Sequence, residues 1–166
     1  ALGPTLLLVC TPFQGWVAQH LRADALRDPV DLLYYTRNNS PEDRHTFDRL
    51  RIGKRRAHYM YVPKRRPDIL NHILGYFAVP KWVRQNVYAT LCLSSIETPT
   101  ICTLSSQHSD ARLLTFDDGI GNILRTSTFH VDPAGARMKL YRRLLNTPSP
   151  ASICSRSARH YTLYPE

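Results

Sequence analysis

Thr5-Leu6-Leu7-Leu8-Val9-Cys10 is an unbroken apolar run that ends in the turn Thr11-Pro12-Phe13-Gln14. A strand buried on both faces reads this way, because a parallel sheet is covered by helices on each side. Pro4 marks the entry to that strand. Gln14–Leu26 follows as a predicted helix, with Trp16, Val17, Leu21 and Ala25 near one face. The stripe places Trp16 in the core. His20 lies on the same stripe and reads as a satisfied helix-face residue rather than an acid.

The same alternation repeats along the chain. Asp31–Tyr35 predicts a strand, Pro41–Leu50 a helix and His58–Val62 a third strand. Asp68 can cap a helix that shows Ile69, Leu70, Ile73, Leu74 and Phe77 at helical spacing. Val87–Leu93 reads as a fourth strand, Pro99–Ser105 as a short helix and Arg112–Phe116 as a fifth strand. Asp132-Pro133 opens a further helix with Met138, Tyr141, Leu144 and Leu145 inward. Thr147–Ser157, rich in Ser and Pro, reads as a loop, and Tyr161–Tyr164 as a last short strand. Strands separated by helices build βαβ units, so the expected fold is α/β, a mostly parallel sheet flanked by helices. The 166 residues suit one domain with its own core.

The fifth strand carries the chemistry. Leu113-Leu114-Thr115-Phe116 runs straight into Asp117-Asp118-Gly119-Ile120-Gly121-Asn122. In open α/β sheets, ligands bind outside the carboxyl ends of the strands. A carboxylate there can accept a proton, and a glycine lets a ligand come close to the backbone. Asp-Gly is also an ordinary turn signal, so the run by itself fits a plain loop as well. Right-handed crossovers put the carboxyl ends of the first and fifth strands on one edge of the sheet. Thr11-Pro12-Phe13-Gln14 and Asp117-Asp118-Gly119 are then expected to share one cleft wall.

The formal charge of +9 calls for an acidic partner or surface. Its cations cluster at Arg49, Arg51, Lys54, Arg55 and Arg56, at Lys64, Arg65 and Arg66, and at Arg137, Lys139, Arg142 and Arg143. Solvated helix ends would account for them equally. The chain has neither zinc-finger spacing nor an aromatic RNA-binding motif, which ranks nucleic acid below an anionic membrane surface. No apolar run is long enough to span a bilayer, and Leu6–Cys10 is short for a secretion signal. Cys10, Cys92, Cys102 and Cys154 form no C-x-x-C pair and stand beside no metal-spaced histidine. They are expected to be buried free thiols of a reducing cytoplasm, without a structural metal.

Thr115-Phe116-Asp117-Asp118-Gly119-x-Gly121-Asn122 resembles the signature of bacterial lipooligosaccharide sialyltransferases, glycosyltransferase family 52. Cys10-Thr11-Pro12-Phe13-Gln14 is similar to that family's first strand-to-helix turn. Leu93-Ser94-Ser95-Ile96-Glu97, with Asp110-Ala111 downstream, and His160-Tyr161-Thr162-Leu163 resemble two further stretches in the same order. The resemblance implies a GT-B architecture of two Rossmann-like domains. Residues 1–166 would be its amino-terminal, acceptor-side domain, and a nucleotide-sugar domain with a His-Pro motif would follow Glu166. No His-Pro pair occurs in this sequence, so the chain alone is expected to be inactive.

The resemblance further implies transfer of sialic acid from CMP-sialic acid to a terminal galactose of lipooligosaccharide, with inversion and without a metal. A related donor sugar, or a non-catalytic domain gripping a glycolipid or polyanion, is the alternative. Adjacent strand residues point to opposite faces. Asp118 is expected as the general base and Asp117 as the residue that shapes the turn or binds the acceptor, an assignment that reverses if the backbone already turns at Asp117. Gly119 and Gly121 would permit positive φ or close sugar approach. Asn122 would meet a sugar hydroxyl or shape a turn. Thr11 and Gln14 would contact the acceptor or cap the first helix, and Phe13, or Trp16 where it leaves the core, would stack on a sugar face. His160 reads as structural. A homodimer, a companion carboxy-terminal domain and attachment of the Arg51–Arg56 surface to the anionic inner membrane of a bacterial cell complete the expectations.

Overall fold

The computed structural model describes residues 3–21, 26, 29–63, 68–116 and 136–162. In chain order its elements are β1 (Thr5–Val9), α1 (Pro12–Gln19), β2 (Val30–Thr36), α2 (Pro41–Leu50), β3 (Arg56–Tyr61), α3 (Asp68–Ala78), α4 (Lys81–Gln85), β4 (Thr90–Leu93), α5 (Pro99–Gln107), β5 (Arg112–Phe116), α6 (Ala136–Leu144), α7 (Pro150–Arg156) and β6 (Arg159–Tyr161). The strands form one sheet in the order β3-β2-β1-β4-β5-β6, and each pairing is parallel. This is an open Rossmann-like α/β sheet flanked by helices, as the alternating runs predict.

Alternation along β1 splits the core into two layers. Leu6 and Leu8 join Leu33, Leu91, Leu93, Ile101, Leu104 and Ile153 on one face of the sheet. Leu7 and Val9 join Val17, Leu32, Tyr34, Leu50 and Phe116 on the other. The central strands therefore lack a polar face, which is why their apolar runs are continuous. At the amino end of β2, the wholly buried Asp31 accepts two bonds from Arg55, at 2.8 and 2.5 Å, and one from the Tyr88 hydroxyl at 3.0 Å. α2 opens with a capping box: Ser40 accepts from the Asp43 amide and Asp43 accepts from the Ser40 amide.

Several elements depart from the sequence reading. α1 ends at Gln19 rather than Leu26, where the His20 amide closes back onto Val17 and Ala18. Its buried side is Gln14, Gly15, Val17 and Ala18, and Trp16 is 46% exposed instead of sitting in the core. Gly15 explains the rotation: a Cβ there would stand 2.3 Å from Thr46 Cγ2 of α2, so the two helices meet at their smallest residue. β4 begins at Thr90, and Val87 is exposed. α4 and α7 form where no helix was expected. α7 lies inside the presumed loop, with Ser149 accepting from the Ser152 amide and Pro150 in the first turn.

The α3 stripe of Ile69, Leu70, Ile73, Leu74 and Phe77 is exposed, although such a stripe normally faces a core. The inward side holds Asn71, His72 and Gly75 instead. His72 Nε2 meets Thr103 Oγ1 at 2.9 Å, and a Cβ on Gly75 would lie 2.9 Å from Thr100 Oγ1. α6 differs in the same sense, since Leu144 and Leu145 are exposed rather than inward. Asn146, at φ +49°, ends that helix: the Thr147 amide donates to Arg142 O and the Asn146 amide to Arg143 O. The chain is then held through Thr147, whose hydroxyl lies 3.0 Å from that of Thr103. Asp132-Pro133 and residues 163–166 lie outside the described residues, and so do the side chains of Met138 and Tyr141.

Candidate functional site

The strand order fixes where a ligand can enter. From β1 the chain moves outward through β2 to β3, then returns to β4 on the other side of β1. The loops leaving β1 and β4 therefore diverge, and a crevice opens above the carboxyl ends of the strands between them. A cleft of about 300 Å³ occupies that place, lined by Cys10 and Thr11 after β1, Tyr35, Arg37 and Asn38 at the end of β2, and Ser95, Glu97 and Thr98 after β4. Its size is at the small end of the range for ligand pockets.

Gln14, buried behind the lining, ties two of its residues together. It is 5% exposed, and its Oε1 accepts from the Cys10 amide at 3.1 Å. Its Nε2 donates to Ser95 Oγ at 2.9 Å. One side chain thus ties the turn after β1 to the turn after β4. Ser95 needs such a hold because its φ of +48° lies in the left-handed region that residues with a Cβ avoid. Thr11 has two places at once: it lines the cleft, and its hydroxyl caps α1 by accepting from the Gln14 amide at 3.1 Å. Behind it, the buried Ser94 donates from its hydroxyl to Leu8 O at 3.0 Å.

Burial pushes the Cys10 thiol up to about 12, against the lowering effect of its hydrogen bonds with Ser95 and Ser94. The thiol stays protonated at neutral pH and lines the cleft without being a nucleophile. The remaining lining is polar. Hydroxyls from Thr11, Tyr35, Ser95 and Thr98 stand with the exposed guanidinium of Arg37 and the exposed carboxylate of Glu97. Donors and acceptors alternate over a short distance, which suits a ligand covered in hydroxyls.

α1, which begins just after the cleft residue Thr11, presents two aromatic rings to solvent. Phe13 and Trp16 are 48% and 46% exposed, with parallel rings 5.6 Å apart. His20 continues the row, 4.4 Å from Trp16, and its Nδ1 lies 2.8 Å from Trp16 O. The ring is hydrogen-bonded, but the residue caps the end of α1 instead of lying on its apolar face.

The structure brings Thr11 to the crevice, sets Gln14 behind its lining and leaves Phe13 exposed on α1. Asp117, Asp118, Gly119, Gly121 and Asn122 lie outside the described residues. The strand that leads to them ends beside β4, with Thr115 paired to Leu93 across the ladder. Thr115 Oγ1 is 2.8 Å from His160 Nδ1 and 2.9 Å from Ser157 Oγ, so His160 serves to dock β6. Arg37 and Thr98 escaped the sequence reading, and Ser95 and Glu97 entered it only within the stretch Leu93–Glu97, without a role in a site. Their signal was positional, since each follows the carboxyl end of β2 or β4 beside the switch point. All four cysteines are free, with Cys92 and Cys102 buried and Cys10 and Cys154 half-buried.

No protein-family model matches the chain. Over 168 aligned residues it is 24% identical to an N-acetyllactosaminide alpha-2,3-sialyltransferase of Neisseria meningitidis serogroup A / serotype 4A (strain DSM 15465 / Z2491). That alignment takes in 97% of this chain and 45% of the relative, so the chain spans about half the length of the curated protein it matches. The chain carries a distant, sialyltransferase-like relationship, which supports a glycosyltransferase-like enzyme.

Proposed function

We propose that the chain forms the acceptor-binding, amino-terminal half of an inverting lipooligosaccharide sialyltransferase of GT-B architecture. The observation that carries this reading is the similarity to a sialyltransferase across 97% of the chain. The crevice at the switch point, and the sequence Asp117-Asp118-Gly119 following directly on β5, supply a place and a base. The donor would be CMP-sialic acid, held by a second domain that the relative's extra length could accommodate.

The reaction needs little besides position and a proton acceptor. The galactose hydroxyl oxygen attacks the anomeric carbon, the bond from that carbon to the CMP phosphate breaks, and the hydroxyl proton passes to Asp118. A carboxylate can take that proton as the new bond forms, and its charge also favours the oxocarbenium character of the reacting centre. Thr11, Arg37 and Ser95 would hold acceptor hydroxyls, and Phe13 would offer a ring face to a sugar. Asp117 would shape the turn, with Gly119, Gly121 and Asn122 giving the acceptor room and a hydrogen bond.

The test uses the full-length protein with CMP-sialic acid and a galactoside acceptor. Asp118→Asn should lower kcat by about 10²–10⁴-fold, the usual worth of a positioned base, without lowering the unfolding midpoint. Transfer at the wild-type rate by Asp118→Asn, with loss in Asp117→Asn, moves the base to Asp117. Full activity in both variants removes the carboxylate mechanism. Transfer from a different activated sugar, with none from CMP-sialic acid, replaces the donor and keeps the fold's role.

A further inference from the structure

The cleft at the switch point is lined by two charged side chains, Arg37 and Glu97. Glu97 is already engaged by other groups. The exposed Arg37 guanidinium has neither a hydrogen bond nor an ion pair among the described residues. That sets it apart from Arg44, which lies over the Tyr59 ring and donates to Asn39, and from Arg55, which holds Asp31. Its field reaches the Cys10 sulfur in the cleft wall. There it favours negative charge, as the Ser95 and Ser94 hydroxyls do, and Glu97 opposes it. Five N–H groups in a planar fork match a carboxylate or a phosphate better than a lone hydroxyl.

The place of Arg37 in the sheet says which anion it can meet. Arg37 follows β2, whereas the chain runs into Asp117-Asp118 after β5. In the order β2-β1-β4-β5 these two strands are three spacings apart. At about 4.8 Å per spacing the separation is about 14 Å. The sialic acid of the donor also bears a carboxylate, but on the carbon that reacts, which belongs with the base at the β5 side. An anion beside Arg37 is therefore carried by a part of the acceptor remote from the attacking hydroxyl.

We propose that Arg37 is a specificity residue, which selects acceptor saccharides bearing a carboxylate or phosphate away from the hydroxyl that receives the sugar. The proposal rests on the functional reading given above. Charge then sets the orientation of the acceptor in the cleft. Its acid is drawn to Arg37 on the β2 side and repelled from the carboxylates that follow β5, so its terminal hydroxyl is presented toward them. A neutral acceptor makes the same hydroxyl contacts with Thr11 and Ser95 but lacks this alignment. Because the contact is far from the reacting atoms, it acts on binding alone, and its loss raises KM without lowering kcat.

Transfer by the full-length protein from CMP-sialic acid to three lactosides tests it. One is methyl lactoside, and the others carry a carboxymethyl or a phosphoethyl group in place of the methyl, at the end away from the terminal galactose. At least one acidic lactoside should exceed methyl lactoside about tenfold or more in kcat/KM, the usual worth of a hydrogen bond between charged groups, and the better one names the acid. Arg37→Gln should erase the preference, Arg37→Glu should reverse it, and added salt should weaken it in the parent. Equal use of the three lactosides by the parent, or a preference that survives in Arg37→Gln, overturns the proposal. A raised KM for CMP-sialic acid in Arg37→Gln, with the acceptor preference intact, assigns the guanidinium to the donor instead. A lower thermal midpoint with that preference intact assigns it to an ion pair with another part of the chain. Should no lactoside be sialylated, the functional reading alone fails. Calorimetric binding of the same lactosides to the parent and to Arg37→Gln then decides the role of Arg37 by the same order of affinities.

Discussion

Gly15→Ala tests the packing that holds α1, and with it Thr11, Phe13 and Gln14, at the cleft. The new Cβ would stand 2.3 Å from Thr46 Cγ2 and 3.2 Å from Leu50 Cδ1. Ordinary carbon contacts lie at about 3.5–4.0 Å. Either the helices part, or Thr46 swings its methyl away from α1. Overpacking of this kind costs about 1–3 kcal/mol. Alanine in place of glycine returns about 1 kcal/mol of helix propensity, leaving a net loss of about 0–2 kcal/mol. A domain of this size loses roughly 2–4 °C of Tm per kcal/mol, so the midpoint should fall by up to about 8 °C.

Thr46→Ser removes the offending methyl, and the next obstacle is then the 3.2 Å approach to Leu50. In that background Gly15→Ala should be neutral or stabilising. Four proteins unfolded by heat and by urea complete the cycle, and the coupling should be about 1–3 kcal/mol in favour of the double variant. A single Gly15→Ala protein more stable than the parent, or an equal change with Ser or Thr at position 46, would refute the account of why α1 sits as it does.

Gln14→Ala should cost about 2 kcal/mol, because the Cys10 amide loses a buried acceptor and Ser95 loses its hold. Urea unfolding measures it; unchanged stability with a raised KM for acceptor would make Gln14 a ligand contact instead. Arg55→Ala should destabilise by about 3–5 kcal/mol, since it strips the wholly buried Asp31 of its ion pair. Thermal midpoints close to the parent's would count against that pair. Burial lowers the pKa of His72, as it does for His58 and His108. Their neutral forms are favoured in the folded state, so the unfolded chain binds protons first as the pH falls. Stability should be full above about pH 6.5 and decline below it, and His72→Gln should flatten that decline in a pH series of urea midpoints. An equally steep decline in His72→Gln would exclude this residue as its source.

The sheet and its parallel sense were legible in the sequence because its central strands are buried on both faces. Leu6–Val9 shows this as an uninterrupted apolar run, and Leu113–Phe116 as a run broken only by Thr115. α2 was legible to the residue, since Ser40, Pro41 and Asp43 carry their own start signal locally. At the cleft, Thr11 and Gln14 could be picked out by their place after β1, but the bond from Gln14 to Ser95 joins residues 81 positions apart. The left-handed turn at Ser95 has no glycine to announce it. Arg37 and Glu97 become neighbours of the cleft only once β2 and β4 flank β1.

Sequence by itself determined which segments are strands, that they run parallel between helices, and that the fifth leads into paired carboxylates. Tertiary structure alone decided which side of each helix faces in. Periodicity reports that a helix has an apolar stripe, but burial follows steric fit. Gly15 against Thr46, and Gly75 and His72 against α5, turned α1 and α3 so that Phe13, Trp16 and the Ile69–Phe77 stripe face outward. Close approach between backbones outweighed the larger apolar area, because dispersion contact falls steeply with each tenth of an ångström of gap.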